Sequence, residues 1–387
     1  MASGSKVVHT VSEMKKKICI VTAARSEYGL LRWLIDDLSR ADWVTLQLVV
    51  TGGHLLEEQG HTIDQIRADG YEITDIVDAG LDTSSKAALA SYMGRLAEGF
   101  ANCFEKLKPD YLMVLGDRYE LLPICNTAFV MRIPIIHISG GDVTEGAIDD
   151  GIRNAVTMLS TYHFPGTESS RQNIIRMRGS EENVWAVGEP GLDIFNRLPL
   201  MTREELAENL KLDPTKKWAL MTYHPETTIP LTQNLDAAKS IVESLNELSD
   251  FQTVITYANA DFGGEEINEL LKDFVKEHED KFRILPSLGQ VRYLSFMKQV
   301  SFVIGNSSSG IVEAPFLKIP VVNIGDRQKG RHISDNILET DASPDSISEA
   351  IEKAVSMKVP GLDAEYWGDG HASEKIVSIL KKVLYEG

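Results

Sequence analysis

Residues 17–51 read KICIVTAARSEYGLLRWLIDDLSRADWVTLQLVVT. Lys17–Thr22 is an apolar, mostly β-branched run. A Leu-rich amphipathic segment follows it, and then a second run of the same kind, Thr45–Thr51. Near-continuous apolar runs suit parallel strands whose sheet is covered by helices on both faces. Their alternation with helical segments marks βαβ units. The pattern recurs at Tyr111–Gly116, Ile135–Ser139 and Val184–Val187, and again at Trp218–Tyr223, Thr253–Tyr257, Ser301–Gly305 and Val321–Ile324. Two such sets predict an α/β protein with two Rossmann-like, doubly wound domains. The 387 residues are about what two domains of ~100–200 residues require.

The domain boundary is expected between Gly191 and Lys216. There Thr202 and Glu205 form a capping box that opens a helix through Leu210, and Asp213-Pro214 breaks the chain before the next strand. The chain thus divides into a disordered N-terminal extension (1–14), a first domain (15–200), a second domain (201–370) and a terminal helix (371–387). Ile376, Leu380, Val383 and Leu384 share one face of that helix. Its place after the second domain lets it cross back onto the first.

Composition narrows the function. With 43% hydrophobic and 25% charged residues, the chain is not disordered, collagen-like or a coiled coil. Its 57 acidic against 39 basic residues give a net charge of -18, which repels a phosphate backbone and excludes nucleic acid as a partner. Any phosphate site must be local. Cys19, Cys103 and Cys125 are widely spaced in apolar stretches, with no CxxC and no Cys/His spacing suited to zinc, so they read as reduced core cysteines. No apolar run approaches the ~18 residues of a membrane span, and Met1–Glu13 lacks the apolar core of a signal peptide. Met14, ahead of Lys15–Lys17, is the more natural start. A cytoplasmic protein without a membrane partner is expected.

Open α/β sheets bind ligands at the carboxyl ends of their strands, so the residues after each strand are the candidates. After the first strand, Arg25 can reach an anion or cap its loop. No GxGxxG fingerprint is present, which argues against a dinucleotide. Asp117 and Arg118 follow Tyr111–Gly116, where an Asp either serves catalysis or caps a helix. Asp142, Glu145, Asp149, Asp150 and Arg153 follow Ile135–Ser139 on a glycine-rich loop. Two adjacent strands thereby deliver acids to one sheet edge, as general acid/base chemistry or a developing cation requires. No spacing dedicated to a metal accompanies them.

In the second half, His224 follows Trp218–Tyr223. Ser307, Ser308 and Gly310 follow Ser301–Gly305 at the expected start of a helix containing Glu313. Small residues at a helix start let N–H groups approach an anion, and Glu313 is placed to accept from two ribose hydroxyls. Arg327, Lys329 and Arg331 then concentrate positive charge locally.

GDRYE (Gly116–Glu120), GGDVTEGAIDDGIR (Gly140–Arg153), YHP (Tyr223–Pro225) and GNSSSGIVEAP…NIGDRQKGR (Gly305–Arg331) together resemble the hydrolysing UDP-N-acetylglucosamine 2-epimerases. The likeness runs from about Lys17 to the terminal helix. It implies a GT-B-like pair of domains facing a cleft, with no cofactor and no metal. The implied reaction takes a UDP-sugar and water to UDP and a 2-epimerised sugar of the N-acetylmannosamine type, for sialic-acid-like biosynthesis, in a homodimer or homotetramer. Asp117 and Asp149 match the family's catalytic acids. Arg25, His224, Ser307, Ser308, Glu313 and Arg327 match positions that hold UDP, and Ser287 with Gly289–Tyr293 falls where uracil is contacted. Ser139 stands where several members carry a catalytic Glu, and Asn154 where a His is frequent. Asp142 or Glu145 is then the replacement carboxylate. The alternatives are the same chemistry on UDP-2,4-diacetamido-2,4,6-trideoxyglucose, of the legionaminic acid route, a glycosyltransferase of this fold, and a non-catalytic nucleotide-sugar sensor.

Overall fold

The structure, a computed structural model, describes residues 15–57, 60–143, 148–226, 228–259, 263–358 and 366–386. The expected extension 1–14 lies wholly outside the described residues, and so does Glu145. The chain forms two compact units. One comprises residues 15–142, the stretch up to Asp193 and the C-terminal His371 onward, and the other comprises essentially Ile194–Gly370.

In the first unit six parallel strands lie in the order β3-β2-β1-β4-β5-β6. They are β1 Lys16–Thr22, β2 Val44–Thr51, β3 Asp75–Val77, β4 Tyr111–Leu115, β5 Ile135–Ile138 and β6 Tyr162–Phe164. Side chains alternate across the sheet. Ile18, Ile20, Met113 and Leu115 enter one apolar cluster, while Cys19, Val21, Leu112 and Val114 enter the cluster on the other face. Both faces being covered explains why these strands read as uninterrupted apolar runs. The three cysteines are free and buried.

The second unit repeats the order as β12-β11-β10-β7-β8-β9, again all parallel. Its strands are β7 Lys217–Thr222, β8 Phe251–Thr256, β9 Phe282–Leu285, β10 Phe302–Gly305, β11 Val321–Ile324 and β12 Ile337–Thr340. In each unit the order reverses between the first and fourth strand, β1/β4 and β7/β10, and ligands of doubly wound sheets bind at that point.

The helix Ala372–Leu380, continued by Lys381–Tyr385, packs back onto the first unit, burying Ile376, Leu380 and Leu384 in the cluster that holds Ile18 and Ile20. Its N-terminus is capped from afar. Fully buried Asp193 accepts the N–H groups of Ala372 and Ser373, both at 2.7 Å. This satisfies two of the donors a helix start leaves open.

Two sequence expectations need correction. Val184–Val187 is not a strand. It is an extended segment joined to β6 by a single bridge, His163 to Val184, and by backbone bonds to Pro165. The expected helix from Ser307 through Glu313 is broken into a 3-10 turn, Ser308–Gly310, and a four-residue helix, Glu313–Phe316. Pro315 has no N–H to offer a helical ladder there.

Candidate active site

At the β1/β4 switch point, Arg25 begins the helix Arg25–Arg40 and is exposed. Its turn is stapled by buried Glu27, whose Oε2 accepts the N–H groups of Ala23 (2.7 Å) and Ala24 (3.1 Å). Burial pushes the Glu27 carboxyl up to about 8, with the Glu120 charge adding to the shift and the two N–H bonds and Arg118 opposing it. Arg118 is turned inward, giving both its Nε (3.1 Å) and an Nη (3.0 Å) to the fully buried Glu120.

Asp117 follows Gly116, which takes φ 80°, and forms an ion pair with Arg153. Arg153 lies on the helix Ile148–Leu159 with its side chain only 7% exposed. The same guanidinium donates to the Asp142 carbonyl (2.8 Å) and to Asp150 Oδ1 (3.4 Å). One buried cation thus gathers the ends of β4 and β5 and the first turn of that helix. Asp142 also accepts the Ser170 hydroxyl. Asp149, on the exposed side of the first turn, has its carboxyl raised above the usual range by desolvation and then by the Asp117 charge. The family position Ser139 is left-handed (φ 56°), with a buried hydroxyl that has no partner among the described residues.

His137, within β5, was not singled out from sequence. Its buried ring meets the Gly116 carbonyl through Nε2 (2.8 Å) and the Thr157 hydroxyl through Nδ1 (3.2 Å). A carbonyl only accepts, so Nε2 carries the proton and the Thr157 hydroxyl donates. Desolvation holds the ring neutral, lowering it to about 4. Asn154 likewise serves the acid cluster, donating to Asp150 (3.2 Å). The only signal for His137 was a lone His in an apolar run.

At the β7/β10 switch point, His224 is partly buried and its Nδ1 accepts the Asn259 N–H (3.0 Å). Ser307 caps the 3-10 turn, and Ser307, Ser309 and Tyr293 form a chain of hydroxyls at 3.1 and 2.6 Å. Ser308 is exposed and Gly310 buried. A Cβ on Gly310 would come within 3.1 Å of Val321. Glu313 is partly buried, its carboxyl pushed up to about 7 by desolvation, with Arg331 opposing. Arg327 reaches the Asn306 carbonyl (3.2 Å), whereas Lys329 is paired with Asp326 (3.2 Å) and so adds little net positive charge. Ser287 is exposed and accepts the Gly289 N–H (3.0 Å). Among the described residues, no group of three or more His, Cys, Asp or Glu can hold a metal ion, and no helix is long and apolar enough to cross a membrane.

Comparison with known proteins gives this geometry its context. The family model described as UDP-N-acetylglucosamine 2-epimerase matches residues 36–381. A Campylobacter jejuni protein named GDP/UDP-N,N'-diacetylbacillosamine 2-epimerase (hydrolyzing) is 36% identical over 342 residues, 88% of each chain. The chain belongs to the hydrolysing UDP-N-acetylglucosamine 2-epimerase family. A second hydrolysing 2-epimerase of this family, a Legionella pneumophila protein named for UDP-N,N'-diacetylbacillosamine, is 34% identical over 96% of this chain and 97% of its own. A solved epimerase, from Neisseria meningitidis bound to UDP-GlcNAc, superposes with a TM-score of 0.73 at 19% identity over 95% of this chain and 100% of its own. That likeness shows the epimerase fold.

Proposed function

We propose that this protein is a hydrolysing UDP-sugar 2-epimerase that converts UDP-2,4-diacetamido-2,4,6-trideoxyglucose and water to the 2-epimeric free sugar and UDP. The observation that carries the reading is the cluster of Asp117, Asp142, Asp149 and Asp150 around Arg153 at the β1/β4 switch point of a family member. The diacetamido sugar is preferred to the UDP-N-acetylglucosamine expected from sequence, because the relatives named for it are 36% and 34% identical. The Neisseria meningitidis relative named for UDP-N-acetylglucosamine is 29% identical.

The chemistry follows from where charge develops. Breaking the C1–O bond leaves positive charge on the sugar and negative charge on the departing diphosphate. Carboxylates of the first unit stabilise the former, and Arg25, Arg327 and the polar groups around Ser307, Ser308 and Gly310 stabilise the latter. Loss of the C2 proton to a carboxylate completes elimination to a glycal and releases UDP. Water then adds its hydroxyl at C1 while a proton returns to the opposite face of C2, inverting it. Two carboxyl groups in different protonation states are required. Asp117, ion-paired with Arg153, is assigned as the base, and Asp149, raised by its surroundings, as the acid. Asp142 and Glu145 are the further carboxylates of this loop. His224 and Glu313 hold the nucleotide, and Ser287 lies beside uracil.

Proton NMR of enzyme with each UDP-sugar in D2O tests this. The expected result is free 2-epimerised sugar carrying one deuteron at C2, together with UDP, formed faster from the diacetamido substrate. Return of an epimerised UDP-sugar without loss of UDP, or turnover only when an acceptor is added, would overturn it.

A further inference from the structure

Strand β10 ends at Gly305, whose φ of 133° and close approach to the Thr222 carbonyl leave no room for a side chain. The next residue, Asn306, is fully buried. Its N–H donates to the Thr222 carbonyl (3.1 Å), extending the β7–β10 ladder by one rung. Its side chain then treats His224 as a strand neighbour would. Oδ1 accepts the His224 N–H at 2.7 Å and Nδ2 donates to the His224 carbonyl at 2.9 Å. The Asn306 main-chain carbonyl accepts from Gln328 Nε2 at 2.8 Å and from the Arg327 guanidinium at 3.2 Å. Ser307 follows in the chain. One buried residue therefore bonds to two candidate ligand residues and adjoins a third.

The ring of His224 is fixed at its other end. A backbone N–H can only donate, so the Nδ1 that receives Asn259 N–H at 3.0 Å must carry a lone pair. In the neutral ring the proton is then on Nε2, so the bond to Asn259 fixes the tautomer.

We infer that Asn306 is a positioning residue for nucleotide binding: its paired bonds hold the His224 backbone as a strand neighbour would, so that the ring keeps its bond to Asn259 and its Nε2–H tautomer, and its carbonyl holds the Arg327 guanidinium. This rests on the reading of the second unit as the UDP-binding one. The amide is needed because it donates and accepts at once. Aspartate would put an acceptor against the His224 carbonyl, and serine is too short to make both bonds.

The test combines calorimetric titration of UDP with histidine-selective 15N NMR of the full chain. Asn306→Asp and Asn306→Ser are each expected to weaken UDP binding by about 10- to 100-fold and to raise KM more than they lower kcat. In the wild type the His224 signal, assigned by its loss in His224→Gln, is expected to show bare Nδ1 and protonated Nε2. In the variants it is expected to shift toward mixed tautomers. Asn336→Ser removes a comparable buried bond, to the Ile319 carbonyl (2.6 Å), and is expected to cost stability while leaving UDP affinity unchanged. Variants that bind UDP within two-fold of wild type, or a wild-type His224 protonated at Nδ1, would overturn the inference. Wild-type protein that binds no UDP would instead sink the nucleotide reading, and the ligand-free tautomers of wild type and variants would still decide whether Asn306 sets the ring.

Discussion

Glu27 is 4% exposed, and its Oε1 has no hydrogen-bond partner among the described residues. Its carboxyl is raised from 4.5 to about 8 by burial, against the pull of Arg118 and the N–H groups of Ala23 and Ala24. A raised folded-state pKa means that the folded protein binds this proton more tightly than the unfolded chain. The resulting stabilisation is complete below about pH 4.5 and is lost as pH rises through about 8. At ~1.36 kcal/mol per unit, the loss between about pH 5.5 and about pH 9 is ~3 kcal/mol. Glu27→Gln removes the ionisation while its amide oxygen still accepts both N–H groups. Its NH2 group takes the place of the unpartnered Oε1, a pH-independent offset of ~1–3 kcal/mol. The slope, not the offset, is therefore the measurement. Amide exchange in β1 and in the helix Arg25–Arg40 reports it locally, because a chain of two units need not unfold in one step. The wild type should lose opening free energy over this range relative to Glu27→Gln. Parallel profiles would show that burial does not hold the proton on Glu27, and the reasoning would fail.

Further outcomes follow from the same geometry. Asp117→Asn should lower turnover by ~10²–10⁴ if it removes the base, read as UDP release by coupled assay. His137→Phe keeps a ring but strands the Gly116 carbonyl and the Thr157 hydroxyl. It should cost ~1–3 kcal/mol in chemical denaturation and lower kcat more than it changes KM. Asp193→Ala leaves two buried N–H groups at the start of the terminal helix unsatisfied. A loss of ~2–4 kcal/mol is expected, with early exchange in Ala372–Leu380, and Asp193→Asn should recover part of it.

The strands missed from sequence are instructive. β3, β6, β9 and β12 were not foreseen, and all four are edge strands of three or four residues. An edge strand has one neighbour and carries polar residues such as Asp75, Arg283 and Glu339, so it lacks the long apolar run that betrays a central strand. The site divides similarly. Asp117 and His224 were legible because each closely follows a central strand, and Asp149 because it sits in the acidic, glycine-rich segment that follows one. His137, Glu27, Glu120 and Asn306 were not recognised as part of it, because each acts through a partner that folding brings near.

What the sequence by itself determined is the pair of parallel sheets and the loops at their carboxyl ends. Central strands buried on both faces must be apolar along their length, and that constraint is written locally. What only the tertiary structure decided is which way the polar groups on those loops turn. Asp117 meets Arg153 across 36 residues, and His224 meets Asn306 across 82. It also separated Arg118, paired inward with Glu120, from Arg153, which gathers the acids. A buried charge or amide is stable only with a partner, and no local pattern encodes a partner that distant.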